Sequence, residues 1–315
     1  MPLPQNLPAF QIVKPRSVLC DLPLFVKERI VRYADPVAKL SLQQCSKDFK
    51  IIVERSPKQI DRILLEVEEE GVYCEIDTEW LHQNAEFNRE DEYDLNDVRE
   101  AVQWFRRHAP SRVPVTLNQF IISSEGPIGE RMGFLTRNLQ QIFSTRRYNL
   151  SVNTLKIDIR NSEQELLKIL PYLEPGALEN IEVQASSRTA IPLDTVVELE
   201  QWKQAKRLTA HFHATVTFEQ LKHFEQVSIR INHLTSDMVK GSVEHFLSTP
   251  GSRSLRIEIA TADSALIRFY LHQYGPANME KQRVERPETD EYVEIETKQY
   301  LFAVHRCPIE IIVVD

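Results

Sequence analysis

Glycine is scarce in this chain, with eight in 315 residues, or about 2.5% against an average near 7%. Phosphate-cradling loops and dinucleotide fingerprints need closely spaced glycines, so nucleotide chemistry of that kind is not expected. GxxGxxxG at Gly126, Gly129 and Gly133 lacks the lysine and hydroxyl residue of a phosphate loop. Cysteine is also sparse. Cys20, Cys45, Cys74 and Cys307 form no CxxC pair, and they read as scattered reduced thiols of an intracellular protein. No apolar run approaches the roughly 18 residues of a membrane span. The first residues, MPLPQNLPAFQIVKPRSV, hold four prolines and no apolar core of a signal peptide. A cytoplasmic or nuclear location is therefore expected. Positive charge is in deficit too. The net charge of −8 disfavours a duplex nucleic-acid binder.

What the chain does have begins at Asp21. The segment DLPLFVKERIVRYADPVAKLSLQQCSKDFKIIVERS reads as three short helices. Asp21 is placed to cap the first, with Pro23 in its opening turn, and Leu22, Val26, Ile30 and Tyr33 recur at helical spacing. Asp35-Pro36 breaks and restarts the chain, with Asp35 as N-cap. Val37, Leu40 and Leu42 mark the second helix. Ser46 opens the third, whose stripe is Phe49, Ile52 and Val53, and Pro57 ends it. So few residues cannot bury a sizeable core, which leaves apolar positions for a partner.

Leu22-Pro23, Val26, Ile30, Asp35-Pro36, Leu40, Leu42, Cys45, Phe49 and Ile52 follow the order of an F-box. The segment resembles that family over about 35 residues, with Phe49 where many members carry tryptophan. The resemblance implies docking onto a Skp-family adaptor, and through it a cullin–RING ubiquitin ligase. The adaptor-contacting residues it implies are Leu22, Pro23, Val26, Ile30, Asp35, Pro36, Leu40, Leu42 and Phe49.

After Pro57 the periodicity changes. LKIDI (155–159), IEV (181–183), LTAHF (208–212), VSIRI (227–231) and LRIEI (255–259) alternate as strands. Helical segments lie between and after them at 162–173, 193–204, 217–224, 236–247 and 264–273. Units of about 20 to 28 residues resemble leucine-rich repeats, an α/β architecture with a mostly parallel, curved sheet. The expected organisation is a flexible segment over 1–17, the F-box over 18–56, and a repeat domain over 57–315. The last of these ends in antiparallel strands (EYVEIE, YLFAVH, IEIIVV). The region 60–150 reads as atypical first repeats, with one or two strands around Gly71, a helix at 95–108, a strand at 115–124 and a helix at 128–144. F-box plus irregular α/β repeats is similar to a large nematode group of F-box proteins.

Alternation assigns faces. Leu155, Ile157 and Ile159 and their counterparts point toward the helices. Lys156, Asp158, Arg160, Glu182, Gln184, His211, His213, Arg230, Asn232, Arg256 and Glu258 point the other way. A parallel sheet covered on both faces would show continuous apolar runs, so one open, partner-binding face is expected. His211 and His213 share that face and could supply two metal ligands, with His223 and His233 in the same repeats. An exposed polar strand explains them as well, and no metal or cofactor is expected. Residues 66–100 carry fourteen acidic side chains against Arg89 and Arg99. They read as a solvated surface with an exposed loop at FNREDEYDLND, or as a patch that steers a basic partner. Gly176, Gly251 and Gly275 follow helical segments, as left-handed caps do. No nucleophile–base constellation appears, so a non-enzymatic substrate receptor is expected, with an interaction scaffold lacking a ligase role as the alternative.

Overall fold

The computed structural model describes residues 18–34, 36–78, 81–88, 95–125, 129–185, 187, 189–249, 254–262, 281–285, 291–298 and 301–308. The chain divides into two compact units, Met1–Pro57 and Lys58–Asp315.

In the first unit a 3₁₀ turn, Val18–Asp21, precedes α1 (Leu24–Tyr33), α2 (Pro36–Cys45) and α3 (Lys47–Arg55). Pro23, not Asp21, occupies the N-cap of α1, and no side chain caps that end. Ser46 does cap α3, accepting the Phe49 N–H at 3.3 Å, as its hydroxyl chemistry favours. Asp35 lies outside the described residues, as do the side chains of Pro36, Val37 and Leu40. Val31, Leu42, Phe49 and Val53 form a small core, with Ile30, Ala34 and Ile52 packed against it. Above it lies the buried Lys27, its ammonium 2.7 Å from Asp48 and 5.9 Å from the Phe49 ring centroid.

The second unit is a mixed α/β domain around one open, largely parallel sheet. Its elements are β1 (Lys58–Val67), β2 (Gly71–Thr78), β3 (Leu81–Asn88), α4 (Asn96–His108), β4 (Val115–Ser124), α5 (Glu130–Ser144), β5 (Ser151–Ile159) and α6 (Gln164–Ile169). There follow β6 (Asn180–Ala185), β7 (Ile191–Pro192), α7 (Glu200–Gln204), β8 (Arg207–Thr215), β9 (Gln226–Leu234), α8 (Ser236–Ser248), β10 (Ser254–Ala262), β11 (Lys281–Glu285), β12 (Glu291–Lys298) and β13 (Leu301–Pro308). Across the sheet the order is β11-β12-β13-β10-β9-β8-β6-β5-β4-β1-β2-β3, with β7 beside β8. From β1 through β10 the neighbours on this path are parallel. The antiparallel pairs flank them on both sides.

The faces follow the alternation. Leu155, Ile157, Ile181, Val183, Leu208, Ala210, Phe212, Val227, Ile229, Ile231, Leu255 and Ile257 are buried with Leu166, Ile169, Trp202, Phe218 and Met238 in one continuous core. Burying each such aliphatic or aromatic side chain contributes roughly 1.5–3 kcal/mol. Phe105, Phe120 and Phe143 meet with ring centroids 5.6 to 6.2 Å apart. They lock α4 and α5 onto β4.

The connecting segments are shorter than the periodicity suggests. Residues 162–173 hold only α6 and a 3₁₀ turn containing Pro171, and 193–204 hold a 3₁₀ turn and α7. The 217–224 segment is one 3₁₀ turn, Phe218–Gln220, closed by a Thr217/Gln220 capping box. Few residues separate β8 from β9, and a single turn is what fits. Gly176 turns the chain at φ +79°, the left-handed region where glycine carries no Cβ penalty. Gly251, Gly275, the 264–273 helix and IEIIVV lie outside the described residues. Among the described residues no helix is long and apolar enough to cross a membrane.

Candidate partner-binding surfaces

On the first unit the structure separates core from surface. Leu42 and Phe49, expected as adaptor contacts, are buried. They hold the three helices together and present little surface of their own. Leu22, Val26 and Ile30 are half-buried, and Pro23 is exposed. The apolar area presented to solvent lies elsewhere on α1. Leu24, Phe25 and Tyr33 are 60, 69 and 76% exposed, with Leu19 just before them. These exposed large apolar groups make α1 the candidate docking element of this unit. Leu24 and Phe25 stand off the apolar stripe by which α1 is recognised, and that position is the signal that could have found them.

On the second unit the residues assigned to the open sheet face lie on β5, β6, β8, β9 and β10, except Arg160, which follows the last residue of β5. Arg160, Gln184, His211, Arg230, Asn232 and Arg256 are exposed, and Lys156, Asp158, Glu182, His213 and Glu258 are half-buried. Many satisfy one another across neighbouring strands. Lys156 lies 2.8 Å from Glu182, and the Arg230 Nε–H donates to Glu258 at 2.6 Å. Arg256 approaches Glu258 at 3.7 Å. Arg230 beside Glu258 holds its carboxyl below the usual range. Pairs this exposed stabilise by at most ~1 kcal/mol each.

The register between β8 and β9 slips at Ala210/His213. Ala210 pairs with Ile229 but His213 with Arg230, so His211 and Phe212 are extra on β8. Because the slip is two residues, each side chain keeps its face. Phe212 stays in the core while His211 and His213 stay on the polar side. Of the two histidines beyond this strand, the His223 Nε2 is 2.9 Å from the Trp202 carbonyl, and His233 lines a cleft of about 510 Å³ at the carboxyl ends of β8 and β9.

Among the described residues, the side chains grouped closely enough to share a cation are Glu75, Asp77 and His82. A cation is already there. Arg62 pairs with Glu75 and donates its Nε–H to Asp77 at 3.0 Å, and the Tyr73 hydroxyl donates to Glu75 at 2.8 Å. The cluster is an ion-pair clamp across β1 and β2. His82 bonded to Asp77, with Arg62 beside it, holds the Asp77 carboxyl below its usual range.

The carboxyl ends of β1, β4 and β5 gather acids. Ser123 donates its hydroxyl to Glu66 at 3.0 Å, and the Ser124 N–H donates to Asp158 at 2.9 Å. Burial pushes the Asp158 carboxyl up, and Glu66 and Glu182 push it further. A carboxyl raised in the folded state favours the fold most when protonated. Asp158→Asn is therefore expected to raise stability at pH 7. The gain should shrink as pH falls toward and below the usual 3.8, as denaturant midpoints of both proteins across pH will show. A gain independent of pH would remove charge as its cause.

The family model of the FTH domain, which is found in nematode F-box-associated proteins, matches residues 135–269. That stretch begins inside α5 and takes in β5 through β10. No curated protein and no solved structure matches the chain.

Proposed function

We propose that this chain is a substrate-recognition subunit of an SCF-type cullin–RING ubiquitin ligase. In this reading the helical unit is an F-box that docks a Skp-family adaptor. The α/β unit, a leucine-rich-repeat-like solenoid, holds a protein substrate on its polar sheet face. The observation that carries the reading is the exposed apolar surface of α1 at Leu24, Phe25 and Tyr33, next to the Leu22-Pro23 start of the F-box resemblance. An FTH match in the second unit supports it by association with F-box-related proteins. The chain performs no chemistry of its own. It raises the effective concentration of a substrate lysine near the ubiquitin-carrying enzyme, in the cytoplasm or nucleus.

The test is capture by a purified Skp-family adaptor. Wild type should bind. Leu24→Ala/Phe25→Ala should bind at least about tenfold more weakly, since exposed aromatic and aliphatic anchors dominate such interfaces. Charge reversal at Arg230 and Arg256 should leave adaptor capture unchanged. Failure of wild type to bind would sink the ligase reading and leave a non-enzymatic interaction scaffold.

A further inference from the structure

At one end of the sheet the outermost strand is β3. It pairs with β2 along its whole length, from Gly71↔Asn88 to Thr78↔Leu81, with no break in register. Ala85 and Phe87 pack against the core, and the Gln83 amide oxygen is 3.2 Å from His108 Nε2 on α4. The strand is thus anchored on its inner side. Among the described residues nothing pairs with its outer edge, so alternate backbone N–H and C=O groups face outward.

Exposed edges are normally blunted by shortness, lysine, proline or a bulge. At the far end of the sheet β11 has such devices, being five residues long and carrying Lys281 and Arg283. By contrast, β3 has eight residues, no lysine, no proline and no bulge.

Charge says what this edge would accept. The β1–β2 turn, Glu68-Glu69-Glu70, closes beside the Asn88 end of β3, and Glu86 lies on β3 opposite Tyr73. Burial and then the carboxylates of Glu125, Glu66, Glu86 and Glu70 push the Glu68 carboxyl up, so these acids crowd one corner. Arg131 donates to the Glu68 and Glu69 carbonyls of the turn, while its charge is engaged by Asp97. A second copy of β3, LHQNAEFN, carries no lysine or arginine to set against these acids.

We propose that the free edge of β3 captures an extended, lysine- or arginine-bearing segment of a partner protein by strand addition, its cations lying over Glu86, Glu69 and Glu70. Backbone hydrogen bonds supply the affinity and the alternating cations supply the selectivity. The inference rests on the partner-binding role above and names the chemistry of the partner.

The test uses the full chain and a fluorescein-labelled octapeptide alternating lysine and valine, read by fluorescence anisotropy. Two companions are the glutamate–valine peptide and the lysine–valine peptide N-methylated at every second residue, made in both registers. The lysine–valine peptide should bind, weaken as salt rises, and slow hydrogen exchange in β3. The glutamate–valine peptide should not bind, and one methylated register should fail. Glu69→Lys/Glu70→Lys/Glu86→Lys, all at exposed positions, should bind the cationic peptide about tenfold more weakly, the sum of a few exposed charge pairs. No binding by wild type overturns the proposal. So does binding that survives both methylated registers, or binding equal in wild type and the triple variant. The same triple variant should still capture the adaptor. If wild type captures no adaptor yet holds the cationic peptide, the ligase role fails and strand addition stands.

Discussion

Arg131→Met is expected to destabilise the α/β unit by about 3–5 kcal/mol, because it strands a buried carboxylate. Asp97 is in the first turn of α4 with a fully buried side chain, and Arg131, in the first turn of α5, is its ion-pair partner. Arg131 also donates to the Glu68 carbonyl at 2.7 Å. One guanidinium therefore joins two helix starts and the β1–β2 turn. Removing it leaves Asp97 buried without its cation, and the helix dipole at α4 offsets at most ~2 kcal/mol of that cost. Removing both charges should be far milder. Asp97→Leu/Arg131→Met is expected to be more stable than Arg131→Met alone, since the penalty belongs to the widowed charge. Urea unfolding of the wild type and the two variants checks both statements. A single-variant loss under about 1 kcal/mol would mean the pair is effectively solvated.

That pair also marks a limit of sequence reading. Asp97 stands at the end of FNREDEYDLND, which by composition reads as an exposed acidic loop. Composition carries no information about a partner 34 residues away, so the buried member of the run looks like its neighbours. The strand β3 was invisible for a related reason. His82, Gln83 and Asn84 give no apolar alternation, and the strand is held by backbone pairing to β2, which side chains do not announce. Where burial on one face did select residues, the text was readable. Val115–Ser124 and the strands at 155, 181, 208, 227 and 255 follow their alternation, and α8 follows its helical spacing. The polar face could be listed, but its cross-strand partners could not. Pairs such as Arg230–Glu258 and the two-residue slip in β8 depend on register.

The helical unit shows a further ambiguity, and Phe49→Ala resolves it by experiment. An apolar stripe says which side of a helix avoids water, not whether the chain itself or a partner covers that side. The structure answers for Phe49, whose ring is fully buried among Val31, Leu42 and Val53 and beneath the buried Lys27. Removing a buried phenyl ring costs about 3–5 kcal/mol. A unit with so few buried side chains holds only a few kcal/mol in total. Phe49→Ala is therefore expected to unfold the helices, with amides from Leu24 to Arg55 losing their protection from hydrogen exchange and adaptor capture lost with them. Leu24→Ala/Phe25→Ala should lose capture with that protection intact, because the two side chains are surface and not support. Phe49→Leu, which refills most of the volume, should keep both properties at a cost of about 1 kcal/mol. If Phe49→Ala instead kept its protected amides while losing the adaptor, Phe49 would be a contact after all, and the division of α1 and α3 into core and docking surface would have to be redrawn.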